Sequence, residues 1–264
     1  MLMAVKNQVK VTYLSLKYSL MRELLNKASF ISSMFFMILN NSCMVAQWAV
    51  LFSLKEEFGG YGFKEILLLW GLAAGTYGVA HAFFNKSFYL SDTIVSGKLD
   101  AYIVQPKSIL IGAITSQIVP SAFGDLVFAY IACLIYSLNI KVILLFTLFS
   151  ITGGLILVSF AIILNSLSFW FKNSDLIADT GTSAVIFFAT YPDGIFHGLT
   201  KWILFTIIPV GIANYIPIRV IINSSLELLL LNILICLIFI ILAFVIFYRG
   251  LKRYSSGNLM SARV

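Results

Sequence analysis

Few residues in this chain are of a type and spacing that could make or break covalent bonds. The two histidines, His81 and His197, stand far apart, and Cys43, Cys133 and Cys236 each fall inside an apolar run without metal-ligand spacing. Such thiols read as buried and inert. There is no G-x-x-x-x-G-K-[ST] loop to cradle phosphates, no H-E-x-x-H and no G-x-S-x-G. No catalytic residue, metal ligand or cofactor is expected in this chain.

What polar chemistry remains lies deep in apolar sequence. Asp125 follows Ser116, Gln117, Pro120 and Gly124 near the middle of a long apolar run. A carboxylate at mid-membrane costs ~2.5–3.5 kcal/mol on insertion scales, so it must face protein or water. Two readings stand for it: a group lining or gating a passage, or a helix-packing hydrogen bond. Asn40, Asn41 and Ser42, and Asn165 with Ser166, pose the same choice, with interhelical bonding the commoner use of such residues. His81 and Asp179 read as structural partners of nearby basic groups. Gly71, Gly75 and Gly78 share one helical face and would allow close helix contact. Trp48, Trp70, Trp170 and Trp202 read mostly as interfacial belt residues.

The elements that hold these residues follow from composition. Of 264 residues, 60% are hydrophobic, 15% aromatic and 11% charged, against about 25% charged in soluble domains. With a mean hydropathy of +0.98, the chain is a polytopic membrane protein forming one membrane domain. Its net charge of +7 does not point to nucleic acid, because the basic residues flank apolar segments and form no aromatic-interleaved patch.

Apolar runs near the roughly 20 residues needed to cross hydrocarbon occur at 30–54, 66–89, 109–138, 142–171, 176–191 and 226–248. Residues 1–28 place Val5, Val9, Leu16 and Leu20 near one helical face and Lys6, Lys10 and Lys17 on a neighbouring one. They read as an amphipathic helix on the membrane surface, or as a solvated basic tail. With no cleavable leader in the sequence, the N-terminus is expected to stay in the cytoplasm.

Residues 192–225 are apolar but broken by Pro192, Gly194, Lys201, Pro209, Gly211 and Pro217. If they crossed, the basic tail at 249–264 would lie outside. Six spans instead put most of the basic residues, Lys172 and Arg263 among them, on the cytoplasmic side with both termini. Residues 192–225 then enter from the outer face and return, or lie in the interface, as a gate or lid.

The one long polar passage between apolar blocks is 85–108, with Lys86, Lys98 and Lys107 assigning it to the cytoplasmic face. Gly97 permits a tight turn, Asp100 can cap a helix or pair with a partner's arginine, and Pro106 stops a helix. The segment is either a mechanical contact for a soluble partner or merely a shaped loop.

Four local patterns resemble one family. Gly97, Leu99, Asp100, Gln105 and Pro106 are similar to a G-x-L-D-x-x-L-x-x-P loop, with Ile103 where leucine is commoner. Tyr191-Pro192, Ile195-Phe196, Pro209, Asn214 and Pro217 follow the fifth run. Ser168-Phe169-Trp170 ends the fourth. Gly250-Leu251 and Tyr254-Ser255-Ser256-Gly257 look like a Y-x-S-x-G ending, with Ser256 where alanine is usual. In order and spacing these resemble the ABC-2 type exporter permeases, small six-span bacterial proteins often encoded in pairs beside an ATPase.

The resemblance implies the type V exporter fold. Its parts would be six transmembrane helices in a domain over 29–264, an N-terminal interfacial helix, a cytoplasmic coupling helix between spans two and three, and re-entrant outer helices before span six. It also implies a second permease, a nucleotide-binding ATPase partner that holds ATP and Mg, and a lipid surround in a bacterial inner membrane. The coupling residues would be Gly97, Lys98, Leu99, Asp100, Tyr102, Gln105 and Pro106. Those of the passage or gate would be Asp125, Asn40, Asn41, Asn165, Pro192, Phe196, Pro209, Asn214 and Pro217. The apolar, aromatic character of the spans suggests a hydrophobic or amphipathic cargo. The rival class, an ion-coupled transporter or channel, should show inverted repeats and several ionisable groups at mid-membrane, whereas chiefly Asp125 is found.

Overall fold

The structure, a computed structural model, describes residues 2–171 and 174–255, and side chains from Lys6 onwards. Val5, Lys172, Ser256, Gly257 and Arg263, invoked above, lie outside the described residues or side chains. Among the described residues the fold is all-α.

The chain begins with α1 (Leu2–Glu23) and α2 (Lys27–Phe52), the latter started by the Asn26 side chain, which accepts from Ser29 N. Then comes α3 (Phe63–Phe84), where Glu65 caps the first turn by accepting from Gly62 N at 2.7 Å. A 3₁₀ turn, Asn85–Tyr89, carries α3 on into α4 (Leu90–Val95), and a short α5 (Asp100–Ile103) follows. Next are α6 (Ile109–Ile114), α7 (Pro120–Tyr136) and α8 (Ile140–Ser166). The remainder is α9 (Ser174–Ala189), α10 (Gly198–Thr206), a π turn Gly211–Tyr215, α11 (Ile216–Asn223) and α12 (Leu226–Leu251).

Among the described residues four stretches are long and apolar enough to cross a membrane: Lys27–Phe52, Phe63–Val95, Ile140–Phe169 and Leu226–Leu251. A fifth is added if α10 and the Gly211–Asn223 stretch, bent by 79°, make one span. Helix α3 is at the centre. It is apolar all round, as a buried helix must be, and 72% of the apolar part of Phe63–Val95 is buried, against 11% for Lys27–Phe52 and 17% for Leu226–Leu251. Its glycine face works as expected. A Cβ on Gly71 or Gly78 would come within 2.7 Å of Ala132 or 2.8 Å of Leu126 on α7, and one on Gly75 within 2.6 Å of Ser150 on α8.

Two expectations are corrected here. The run 109–138 is not one helix, because it breaks between α6 and α7. Pro120 holds Val119 extended (φ −122°, ψ 123°) and supplies no N–H. The carbonyls freed at the break are taken by α1: Ser15 Oγ donates to Thr115 O and Ser19 Oγ to Ser116 O, each at 3.0 Å. The amphipathic helix therefore docks through the polar face holding Gln8, Ser15 and Ser19, and leaves Val9 and Tyr13 exposed at 62% each. Second, the stretch 85–108 divides. Asn85, Ser87, Ser91, Thr93 and Ile94 are buried in the helical continuation of α3, and only 96–107 forms the exposed loop.

Candidate functional site

Helices α2 and α7 are pressed together at Gly124, where any Cβ would stand 2.5 Å from the Met34 carbonyl. That approach brings Asn41 on α2 against Asp125 on α7, and Asn41 Nδ2 donates to Asp125 Oδ1 at 2.7 Å. Trp70 on α3 completes the chain, its indole N–H donating to Asn41 Oδ1 at 3.2 Å. Asp125 is 3% exposed, and its other oxygen, Oδ2, has no hydrogen-bond partner.

This triad forms one wall of a cavity of about 500 Å³ bounded by α2, α3, α7, α8, α9 and the π turn. Thr76 and Asn214 also line it, and Thr76 Oγ1 and both polar atoms of the Asn214 amide are buried without a partner. Of the lining residues, Asn40, Ser183 and Phe187 are exposed, so the cavity opens between α2 and α9. Four residues singled out from sequence thus meet in one place: Asn40, Asn41, Asp125 and Asn214. Sequence reasoning missed Trp70, Thr76 and Tyr77, since such residues are ordinary in apolar helices. Trp70 in particular is no belt residue.

The π turn is pinned from behind. Asn232 on α12 donates to Ile212 O at 2.6 Å and accepts from Thr152 at 3.0 Å, while Tyr215 OH donates to Phe188 O at 2.7 Å. The Asn214 side chain is thereby fixed at the cavity.

At the N-terminal end of α3 stands a second cluster, around Asp193. Its carboxylate, 4% exposed, accepts from the Arg219 guanidinium, from Tyr61 OH at 2.8 Å and from Lys201 Nζ at 3.4 Å. Burial first, then the neighbouring carboxylate, raises the Tyr61 phenol above its ordinary value and keeps it a donor. The Gly59 and Gly194 backbones lie too close for a side chain at Gly194. Pro192, Pro209 and Pro217 are buried and Phe196 half-buried around this corner, Phe196 against Phe188 at 5.5 Å. None of Asp193, Tyr61 or Arg219 was singled out from sequence.

At the opposite end lies the 96–107 loop. Gly97 adopts φ +75°, Lys98 pairs with Asp92 at 3.0 Å in the open, and Gln105 folds back onto Ala101 O at 2.9 Å. Pro106 is exposed and Tyr102 half-buried. Leu99 is fully buried and anchors the loop instead of being presented to a partner. Asp100 accepts from Tyr254 OH at 2.8 Å, tying the loop to the end of α12. Ser108 N donates to Gln8 of α1 at 2.9 Å, and Ser108 Oγ meets Tyr248 OH at 3.1 Å.

Asn165 belongs here and not with the cavity. Its Oδ1 accepts from Ser91 N at 3.0 Å, and Ser168 bridges to Ser91 and Ser174, so it fastens α4 to α8 and α9. His81 does not meet a basic group either: it bonds Asn85 at 2.8 Å between the rings of Tyr77 and Phe88. Cys43 is exposed on α2, contrary to expectation, whereas Cys133 and Cys236 are buried.

These apolar helices, packed around an interior polar cavity, define a multi-pass membrane protein. The ABC-2 family transporter protein family matches residues 29–257, and the chain belongs to that family. It is thus a membrane transport component of the kind served in general by a partner ATPase. No curated protein and no solved structure matches the chain.

Proposed function

We propose that this chain is the permease subunit of an ATP-binding cassette exporter, spanning a bacterial inner membrane six times with both termini in the cytoplasm. In this reading α7 and α9 complete the spans, and the bent pair α10 and α11 dips in from the outer face and returns. A second permease, identical or paralogous, faces it. Two ATPase chains hold ATP and Mg and drive the cycle, and lipid surrounds the rest.

The observation that carries the reading is the exposed 96–107 lever in an ABC-2 chain. A push there has hydrogen-bonded routes into the membrane part. One runs through Asp100 and Tyr254 to α12 and one through Ser108 and Gln8 to α1. Ligand-driven alternation is then a population shift between inward- and outward-open states, biased by the ATPase's differential grip on the lever. A hydrophobic or amphipathic cargo enters the cavity between α2 and α9 and leaves past the Pro192–Pro217 corner.

Replacing 96–107 by a Gly-Ser linker should abolish copurification of the ATPase encoded beside the gene while leaving membrane insertion intact. ATPase retained at the wild-type level defeats the coupling role. A cysteine at Ser96 should resist impermeant maleimide in intact cells, and labelling there would reverse the topology.

A further inference from the structure

The cavity's polar groups are unevenly charged. Among the described residues Asp125 is the one carboxylate in the lining, and neither lysine nor arginine contributes to it. Its Oδ1 accepts a hydrogen bond from a neutral amide, while Oδ2 is buried with no hydrogen-bond partner among the described residues. An ion pair inside protein normally satisfies both charges, and a carboxylate left alone in low dielectric is held at high cost. The contrast with Asp193 is direct, since that carboxylate, equally buried, has two cations and a phenol. Both carboxylates border a cavity, and among the described residues the chain supplies counter-charge to Asp193 and none to Asp125.

The rest of the lining matches an organic cation. The rings of Trp70 and Tyr77 sit in the wall, and aromatic faces attract desolvated cations. Met37 and Met44 add deformable thioethers suited to ligands of varied shape. Thr76 and Asn214 bring buried, unpartnered hydrogen-bonding atoms. The volume, about 500 Å³, is in the range of small-molecule pockets, ~300–1,000 Å³.

We propose that the cavity binds the cationic head of an amphiphile, with Asp125 as its counter-ion and the aromatic and thioether walls around its apolar part. This deepens the exporter reading by naming the cargo class, and rests on it for the direction of movement. Asp125 is then a binding residue, with Asn41 positioning it through the hydrogen bond to Oδ1 and Trp70 fixing Asn41 in turn.

The test uses the full-length chain in a neutral detergent and equilibrium dialysis of two ions of similar shape and opposite charge, tetraphenylphosphonium and tetraphenylborate. The wild type should bind the cation at least tenfold more tightly. Asp125→Asn keeps size and the Asn41 contact but removes the charge. It should weaken cation binding roughly ten- to hundredfold, the range of a charge-assisted contact, without weakening the anion. Equal affinity of the wild type for both ions, absence of cation binding, or full cation affinity in Asp125→Asn overturns the proposal. A carboxyl that simply keeps its proton would give the first of these results. The wild-type comparison stands even if the variant does not fold. Because no ATPase is present, these outcomes are distinguishable from failure of the exporter reading, which shows as loss of the partner in copurification.

Discussion

The two ends of α3 are built on opposite principles. At one end, Asp193 gathers Arg219, Lys201 and Tyr61 from three separate elements around a carboxylate that water hardly reaches. At the other, the 96–107 loop lies largely in the open, anchored by Leu99, and among its ties are half-exposed hydrogen bonds: Tyr254 to Asp100, Ser108 to Gln8 and Ser108 to Tyr248. Charge in a low dielectric makes the first arrangement expensive to open, whereas bonds at half-exposed sites are each worth only ~0.5–1.5 kcal/mol. An end that deforms easily is one on which an external partner can act, and an over-determined end fixes the frame against which the deformation is felt.

The sharpest way to break this contrast is at the stiff end. Asp193→Ala removes all three contacts and sets two cations against each other. It should cost about 2–3 kcal/mol on unfolding in mixed micelles, below the ~3–5 kcal/mol of a wholly buried pair because Arg219 and Lys201 keep partial contact with water. A loss under about 0.5 kcal/mol would make the corner no stiffer than the lever and erase the distinction. Next comes the α6–α7 break. Ser15→Ala combined with Ser19→Ala strips two partly buried carbonyls of their donors and should cost roughly 1–2 kcal/mol. Proteolysis should then release α1 faster, with the Asp193 corner unchanged.

Which parts of this were legible in sequence follows from the same physics. Long apolar runs announce themselves, so α2, α3, α8 and α12 fall close to the expected positions, and isolated amides and a carboxylate in such runs flagged much of the cavity. Residues 85–95 did not announce themselves. Asn85, Ser87, Ser91 and Thr93 have loop-like composition, yet short polar side chains can find partners within or between helices, as Thr93 does on Tyr89 O, Asn85 on His81 and Ser91 on Ser168. Pro120 was visible, but whether it kinks or breaks a span depends on whether something else satisfies the freed carbonyls, and that role falls to serines about a hundred positions away. The Asp193 cluster was hidden for a like reason: Tyr61, Lys201 and Arg219 are unremarkable surface residues until tertiary packing brings them to one carboxylate.

Smaller changes sharpen the soft end. Gly97 occupies the left-handed region at φ +75°, so Gly97→Ala should cost about 1 kcal/mol in strain. That loss should appear as faster amide exchange across 96–107, with the global unfolding midpoint shifted by less than the exchange predicts. Were the strain transmitted to the whole chain, the lever would be part of the frame.

Tyr254→Phe is the mildest change and the most informative about transmission. The phenol is pushed up to about 12, chiefly by burial and then by Asp100, so it is a neutral donor at physiological pH. Its contact is fully present below the ordinary value of about 10 and lost only as pH rises through about 12. Exchange at 96–107 should therefore be limited by the same opening equilibrium from neutrality to pH 10. Removing the hydroxyl should raise that opening about two- to tenfold, for a bond of ~0.5–1.5 kcal/mol, with little change in global stability. If the lever carries force to α12 through this bond, stimulation of a bound ATPase by tetraphenylphosphonium should fall in the same variant while ATPase binding persists. Undiminished stimulation would shift the weight to the contacts at Ser108, with Gln8 on α1 and Tyr248 on α12.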